Sequence, residues 1–329
     1  MEQDLLGDLR LLQKMMEKMD KTAFLFPGQG AQYLGMGKDF FDNFSIAKQI
    51  FEEANDLLHL DITKIIFEGS EEDLIKTKNS QVAIFVTSMA ILNVLEKNFP
   101  QIKKEVCAGL SLGEYSAICA AKKIGFQDVL FLVQKRALFM NDACEKTKGT
   151  MAAILGLDSH IVEALINKLN PPNQVWVANY NTPEQTVISG TIEGVEAAST
   201  ALKEIGAKKI VPLDVHGAFH SGIMKEAQNK LKSQIEHVQF KDSEIDIVMN
   251  VTGNYVKSTL EIKKYLIMQV TNSVRWQQSI KAMNDAGINR YIEIGPGKTL
   301  TVMNRKNNTS GIRLNIDKIS DLEKLEKFS

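Results

Sequence analysis

The stretch Gly109-Leu110-Ser111-Leu112-Gly113 constrains this chain more than any other. It is a G-x-S-x-G box with a strand-like run, Glu105-Val106-Cys107-Ala108, before it and a helix-like run over 115–121 after it. Strand, tight turn and helix around a serine is the context of a nucleophile elbow. Glycine on both sides lets the backbone turn where a side chain would collide. The turn lifts the Ser111 hydroxyl above a sheet and sets it at a helix N-terminus, where free N–H groups and the helix dipole favour developing negative charge.

A second apolar strand, Thr22-Ala23-Phe24-Leu25-Phe26, runs into Pro27-Gly28-Gln29-Gly30-Ala31-Gln32. Two glycines around a glutamine make a loop whose N–H groups can point at an anion. A P-loop would need Lys followed by Ser or Thr after its last glycine, and none follows. The dinucleotide pattern G-x-G-x-x-G fails at Tyr33, where its third glycine would stand. The loop after the first strand is therefore expected to stabilise an anion.

From Thr22 to Lys146 strand-like and helix-like segments alternate, which predicts a mainly parallel sheet. Apolar periodicity predicts helices over 80–98 and 126–144. Residues 147–213 read differently: strand 151–155, helix 159–169, strands 175–178 and 186–189 separated by a turn-rich link at 179–183, helix 192–205, and strand 208–211. That order is βαββαβ, the ferredoxin-like unit, inserted into the α/β chain. Strands at 245–249 and 290–294 follow. The expected architecture is an α/β-hydrolase-like parallel-sheet core, formed by 21–146 and 214–315, with the ferredoxin-like subdomain at 147–213. Residues 1–20 form an N-terminal extension, and 316–329 a charged, mobile tail.

The 329 residues carry a net charge of −1, so no polycationic face is implied and no nucleic acid partner is expected. No apolar run reaches the length of a membrane span. Cys107, Cys119 and Cys144 are odd in number and lack metal-ligand spacing, which points to free thiols in a reducing, cytoplasmic setting and to no metal. The acidic, amphipathic residues 1–20 match neither a signal peptide nor a transit peptide.

A serine nucleophile needs a base. Among the five histidines, His59 reads as structural, and His160 and His237 as solvated on charged helical patterns. His216 and His220, in Asp214-Val215-His216-Gly217-Ala218-Phe219-His220-Ser221, remain, and spacing alone favours neither. Arg136 lies in an almost wholly apolar helical run, 129–140. Burying an unpaired guanidinium is costly, so an anionic partner is expected. That partner is either a structural carboxylate or a substrate carboxylate gripped by two N–H groups.

Several of these segments, taken together, resemble the malonyl-CoA:acyl carrier protein transacylase family. They are 26–32, 109–114, Gln134-Lys135-Arg136-Ala137, Ala218-Phe219-His220-Ser221, Asn250-Val251-Thr252, Val274-Arg275-Trp276 and Gly295-Pro296-Gly297-Lys298-Thr299-Leu300. They run in order over about residues 22–305. The resemblance implies ping-pong transfer of malonyl from malonyl-CoA to acyl carrier protein, for fatty acid synthesis, with no cofactor and a monomeric enzyme. It implies Ser111 as nucleophile and His220, rather than His216, as general base and acid. It implies Gln29 and Leu112 as donors of oxyanion N–H groups, Arg136 as the ligand of the malonyl carboxylate, and Gln269 as the residue that orients the histidine. Gln81, Asn179 and Phe219 match positions of the substrate pocket. Leu110 stands where many members carry histidine, and Val82 where proline is common. Two other readings keep the same residues: a serine hydrolase such as a thioesterase, for which a buried cation has no use, and a non-catalytic binding protein, for which an intact Ser111, His220 and Arg136 set has none. Fatty acid and polyketide carriers are not told apart by this chain.

Overall fold

The computed structural model describes residues 21–169, 174–215 and 217–327. The extension 1–20 and His216, the rival base, lie outside the described residues. Ten strands are present among the described residues: β1 (Thr22–Phe26), β2 (Val106–Gly109), β3 (Gly149–Leu155), β4 (Val175–Thr182), β5 (Gln185–Thr191), β6 (Lys209–Pro212), β7 (Asp246–Met249), β8 (Asn254–Tyr255), β9 (Arg290–Ile294) and β10 (Ile312–Ile316).

Six of them form one sheet in the order β10-β9-β1-β2-β7-β8. Every pairing is parallel except the short edge strand β8 on β7. Helices cover both faces, so β1, β2 and β9 bury both sets of alternating side chains, while the edge strands β8 and β10 are partly exposed. On β1, Phe24 and Phe26 join the larger core, with the helices Ser45–Leu58, Thr77–Asn98 and Phe126–Lys146. Ala23 and Leu25 face the opposite way and pack with Trp276, Ile280 and Leu300. The helix Thr77–Asn98 is buried on all sides from Ser80 to Leu92. That is why its apolar residues spread around the helix instead of forming one stripe.

The other four strands form an antiparallel sheet in the order β4-β5-β3-β6. With the helices Ser159–Leu169 and Ile192–Glu204 between strands, this is the βαββαβ order expected from the sequence. Its far face buries a small core of its own, including Ile154, Val162, Ile188 and Leu202.

Two expectations need correction. Residues 179–182 are not a link but the second half of β4, and only Pro183 and Glu184 turn the chain into β5. Their turn-forming composition is overridden by pairing with β5, which absorbs irregular register between Val177 and Asn179 and again between Tyr180 and Thr182. The C-terminal residues are not a free tail either. Ile316 closes the β10–β9 register, and Leu322 and Leu325 are buried in the larger core.

Candidate active site

The C-terminal ends of three neighbouring strands of the parallel sheet converge on one cleft. This is where ligands bind in open α/β sheets. β1 delivers Gly28 and Gln29, β2 delivers Ser111, and β7 delivers Asn250. The cleft has a volume of about 270 Å³. Ser111, Arg136, Phe219 and His220 line it, together with Asn179, Met151 and Val187 from the antiparallel sheet.

Ser111 sits between β2 and the helix Gly113–Ala120 with φ 53°. A left-handed backbone at a non-glycine residue costs about 1–3 kcal/mol and persists only where its surroundings hold it. Here they do. A Cβ at Gly109 would collide with Gly113, and a Cβ at Gly113 would collide with the Phe26 carbonyl, so neither flank of the elbow tolerates a side chain. Asn250 closes the turn: its Oδ1 accepts from Ser111 N–H at 2.8 Å and its Nδ2 donates to the Gly109 carbonyl at 2.7 Å.

His220 also has a left-handed backbone, φ 57°. Its Nε2 lies 2.7 Å from Ser111 Oγ. Its Nδ1 lies 2.9 Å from the Gln269 carbonyl and 3.1 Å from the Asn272 carbonyl. Carbonyl oxygens only accept, so Nδ1 carries the proton and the lone pair of Nε2 faces the serine hydroxyl. The ring can accept a proton at Nε2 and has no carboxylate behind it. Burial, and then the charge of Arg136, push the His220 pKa down to about 4, so the neutral base persists far into acid.

Arg136 is buried on the helix Phe126–Lys146. Its NH1 donates to Gln81 Oε1 at 2.5 Å, and its NH2 donates to Ser111 Oγ and to Gln269 Oε1, each at 3.0 Å. The guanidinium lies over the Tyr115 ring, 5.5 Å from its centroid. Among the described residues no carboxylate contacts it directly, and its Nε is buried without a hydrogen-bond partner. The anionic partner expected from sequence is therefore not supplied by a direct protein ion pair. Neutral amides hold the cation in place beside the Ser111 hydroxyl.

The remaining predicted residues fall as follows. The main-chain N–H groups of Gln29 and Leu112 make no hydrogen bond among the described residues, so both are free to donate. Gln29 is held by its side chain, which donates to Thr77 Oγ1 at 3.3 Å. Gln81 is fully buried and does not line the cleft; it works from behind, on Arg136 and on Gln29. Gln269 meets His220 through its main-chain carbonyl, while its side chain serves Arg136 and the elbow. Two buried residues that sequence reasoning misses are Asn250 and Glu114. Glu114 carries a usable signal: it is the one charged residue of the buried helix Gly113–Ala120.

Comparison with known proteins identifies the family. The family model of the acyl transferase domain matches residues 23–322. The malonyl CoA-acyl carrier protein transacylase of Bacillus subtilis is 42% identical over 309 residues, covering 94% of this chain and 96% of the relative. The crystal structure of the Clostridium perfringens malonyl CoA-acyl carrier protein transacylase superposes with a TM-score of 0.89 at 38% identity, covering 94% of this chain and 97% of that one. The chain belongs to the malonyl CoA-acyl carrier protein transacylase family. A malonyl-transacylase solved in complex with a type II PKS acyl-carrier protein also matches, with a TM-score of 0.90 at 33% identity over 94% of this chain and all of that one (100%). Among the described residues no helix is long and apolar enough to cross a membrane, and no cluster of His, Cys, Asp and Glu is arranged to hold a metal ion.

Proposed function

We propose that this chain transfers the malonyl group from malonyl-CoA to the phosphopantetheine thiol of acyl carrier protein, through a malonyl-Ser111 intermediate, and so supplies fatty acid synthesis in the cytoplasm. The observation that carries the reading is the contact of a buried, carboxylate-free Arg136 with the nucleophile Ser111.

In the first half-reaction Ser111 Oγ attacks the thioester carbonyl and its proton passes to His220 Nε2. The carbonyl oxygen becomes an oxyanion facing the N–H groups of Gln29 and Leu112. The C–S bond breaks, and His220 returns the proton to the departing thiolate of coenzyme A. In the second half-reaction the carrier thiol gives its proton to His220 and attacks the acyl-serine carbonyl; the C–O bond to serine then breaks, and His220 returns the proton to the departing Ser111 Oγ. Arg136 binds the free carboxylate of malonyl and steadies the serine oxygen. Phe219, buried on the cleft wall, disfavours a methyl branch on the acyl group by overpacking. Asn179 lines the same wall.

Brief exposure to malonyl-CoA, followed by mass spectrometry, tests the reading. A malonyl adduct should map to Ser111 with release of free coenzyme A, and Ser111→Ala should abolish both. An adduct on a cysteine, or one that persists in the alanine variant, would sink the mechanism.

A further inference from the structure

Glu114 takes no part in the steps above, yet it is fully buried at the foot of the elbow helix. Its Oε1 accepts from Asn250 N–H at 2.6 Å, and its Oε2 accepts from Gln269 Nε2 at 2.7 Å. The second proton of Gln269 Nε2 goes to the Ser111 carbonyl at 2.7 Å, while Gln269 Oε1 receives Arg136. This pattern fixes the amide one way round. Turned over, its oxygen would face a carboxylate and a carbonyl, and its NH2 would face a guanidinium. Glu114 thus imposes donor and acceptor polarity on Gln269, and Gln269 passes it to Arg136. On the other side, Asn250, whose N–H Glu114 holds, ties both flanks of the elbow.

We propose that Glu114 is a positioning residue for acyl transfer: its carboxylate fixes the Gln269 amide and the Asn250 main chain, and through them the aim of Arg136 and the bend at Ser111. The inference rests on the acyl-transfer reading. The contacts require the carboxylate form, because a protonated oxygen would point its O–H at a donor. Burial pushes the Glu114 pKa up to about 8, against the pull of Asn250 N–H, Gln269 and Arg136, so the carboxylate form that these contacts require is lost as pH falls through that range. The charged and titratable groups around it are Arg136 on the helix Phe126–Lys146, its chain neighbour Tyr115, and His220 beyond Gln269. Glu114 therefore takes up its proton at higher pH than His220, which does so at about 4.

The test is steady-state malonyl and acetyl transfer by the native chain and Glu114→Gln across pH, with melting curves alongside. Gln keeps the length but sets an NH2 where one acceptor stood. Malonyl kcat/KM should fall about tenfold or more, as for a lost charge-assisted bond. Acetyl transfer should fall less, so the malonyl-to-acetyl ratio drops. The acid limb of the native kcat/KM profile should lie well above pH 4, and move down in the variant towards the titration of His220 at about 4. Equal losses for both acyl groups with an unmoved acid limb would mean a merely structural residue and overturn the proposal. If the variant does not fold, the native profile decides alone: a limb at about pH 4 belongs to His220 and overturns the proposal. A native chain that forms no acyl-serine defeats the acyl-transfer reading, and this inference with it. A native chain that acylates, matched by its variant, defeats this inference only.

Discussion

The two sheets face the same cleft with different surfaces. From the parallel sheet and its helices come Ser111, Arg136, Gln269 and Asn250, each hydrogen-bonded to at least one of the others. From the antiparallel sheet come Met151, Ala153 and Val187, with Asn179, Asn181 and Gln185 as its polar groups at the cleft. The first side is a network in which each group fixes the next, so its members should respond as a unit. The second side is a wall whose side chains meet the cleft mainly by shape. Chemistry and accommodation are thereby carried on separate sheets, and a change on one side should leave the other largely intact.

The strongest way to break this division is at the base. His220→Ala should lower malonyl transfer by on the order of 10² or more, the usual weight of general base catalysis, with a melting temperature close to native. A loss under tenfold would place the base elsewhere, and His216→Ala is then the variant to measure. Arg136→Ala comes next. Losing a charge-assisted hydrogen bond of roughly 1.5–3 kcal/mol should weaken malonyl transfer about tenfold or more. Acetyl transfer should suffer less, because a neutral acyl chain cannot satisfy a buried guanidinium. A folded variant with unchanged malonyl preference would take away the reason for preferring a malonyl transferase to a thioesterase. The smallest effect is expected on the wall. Met151→Leu conserves volume and should cost under about 1.5 kcal/mol of stability, with kcat/KM changed by less than Arg136→Ala changes it. A larger kinetic effect at Met151 would show that the antiparallel sheet does more than accommodate.

The sequence made the reacting groups legible and left their connections hidden. Ser111 was readable because glycines and a strand-to-helix change mark an elbow locally. Arg136 was readable because a charge in an apolar run is costly. Its partners were not, since Gln81 and Gln269 lie 55 and 133 residues away along the chain and are neutral. The cost that marks Arg136 applies equally to Glu114, another buried ionisable group. Gln269 was found through family likeness, but its contact with the histidine runs through a main-chain carbonyl, which no side-chain pattern records. In the fold, the βαββαβ order was visible from periodicity and turns. The continuation of β4 through Asn179–Thr182 was not, because strand pairing there overrides composition. The C-terminal segment looked like a tail because it is charged, although Leu322 and Leu325 bury enough apolar surface to anchor it.

The two carbonyls behind His220 bear on fidelity. With no carboxylate to steady the imidazolium, and with the Arg136 cation nearby, a proton taken from Ser111 is held weakly and given up quickly. A departing thiolate, whose thiol has a pKa of about 8.5, accepts it readily. An incoming thiol also asks little of the base, whereas water, with a pKa of about 15.7, asks far more. In the proposed transfer, a histidine held in this way suits thiols as its partners at both ends of the exchange, the one leaving and the one arriving.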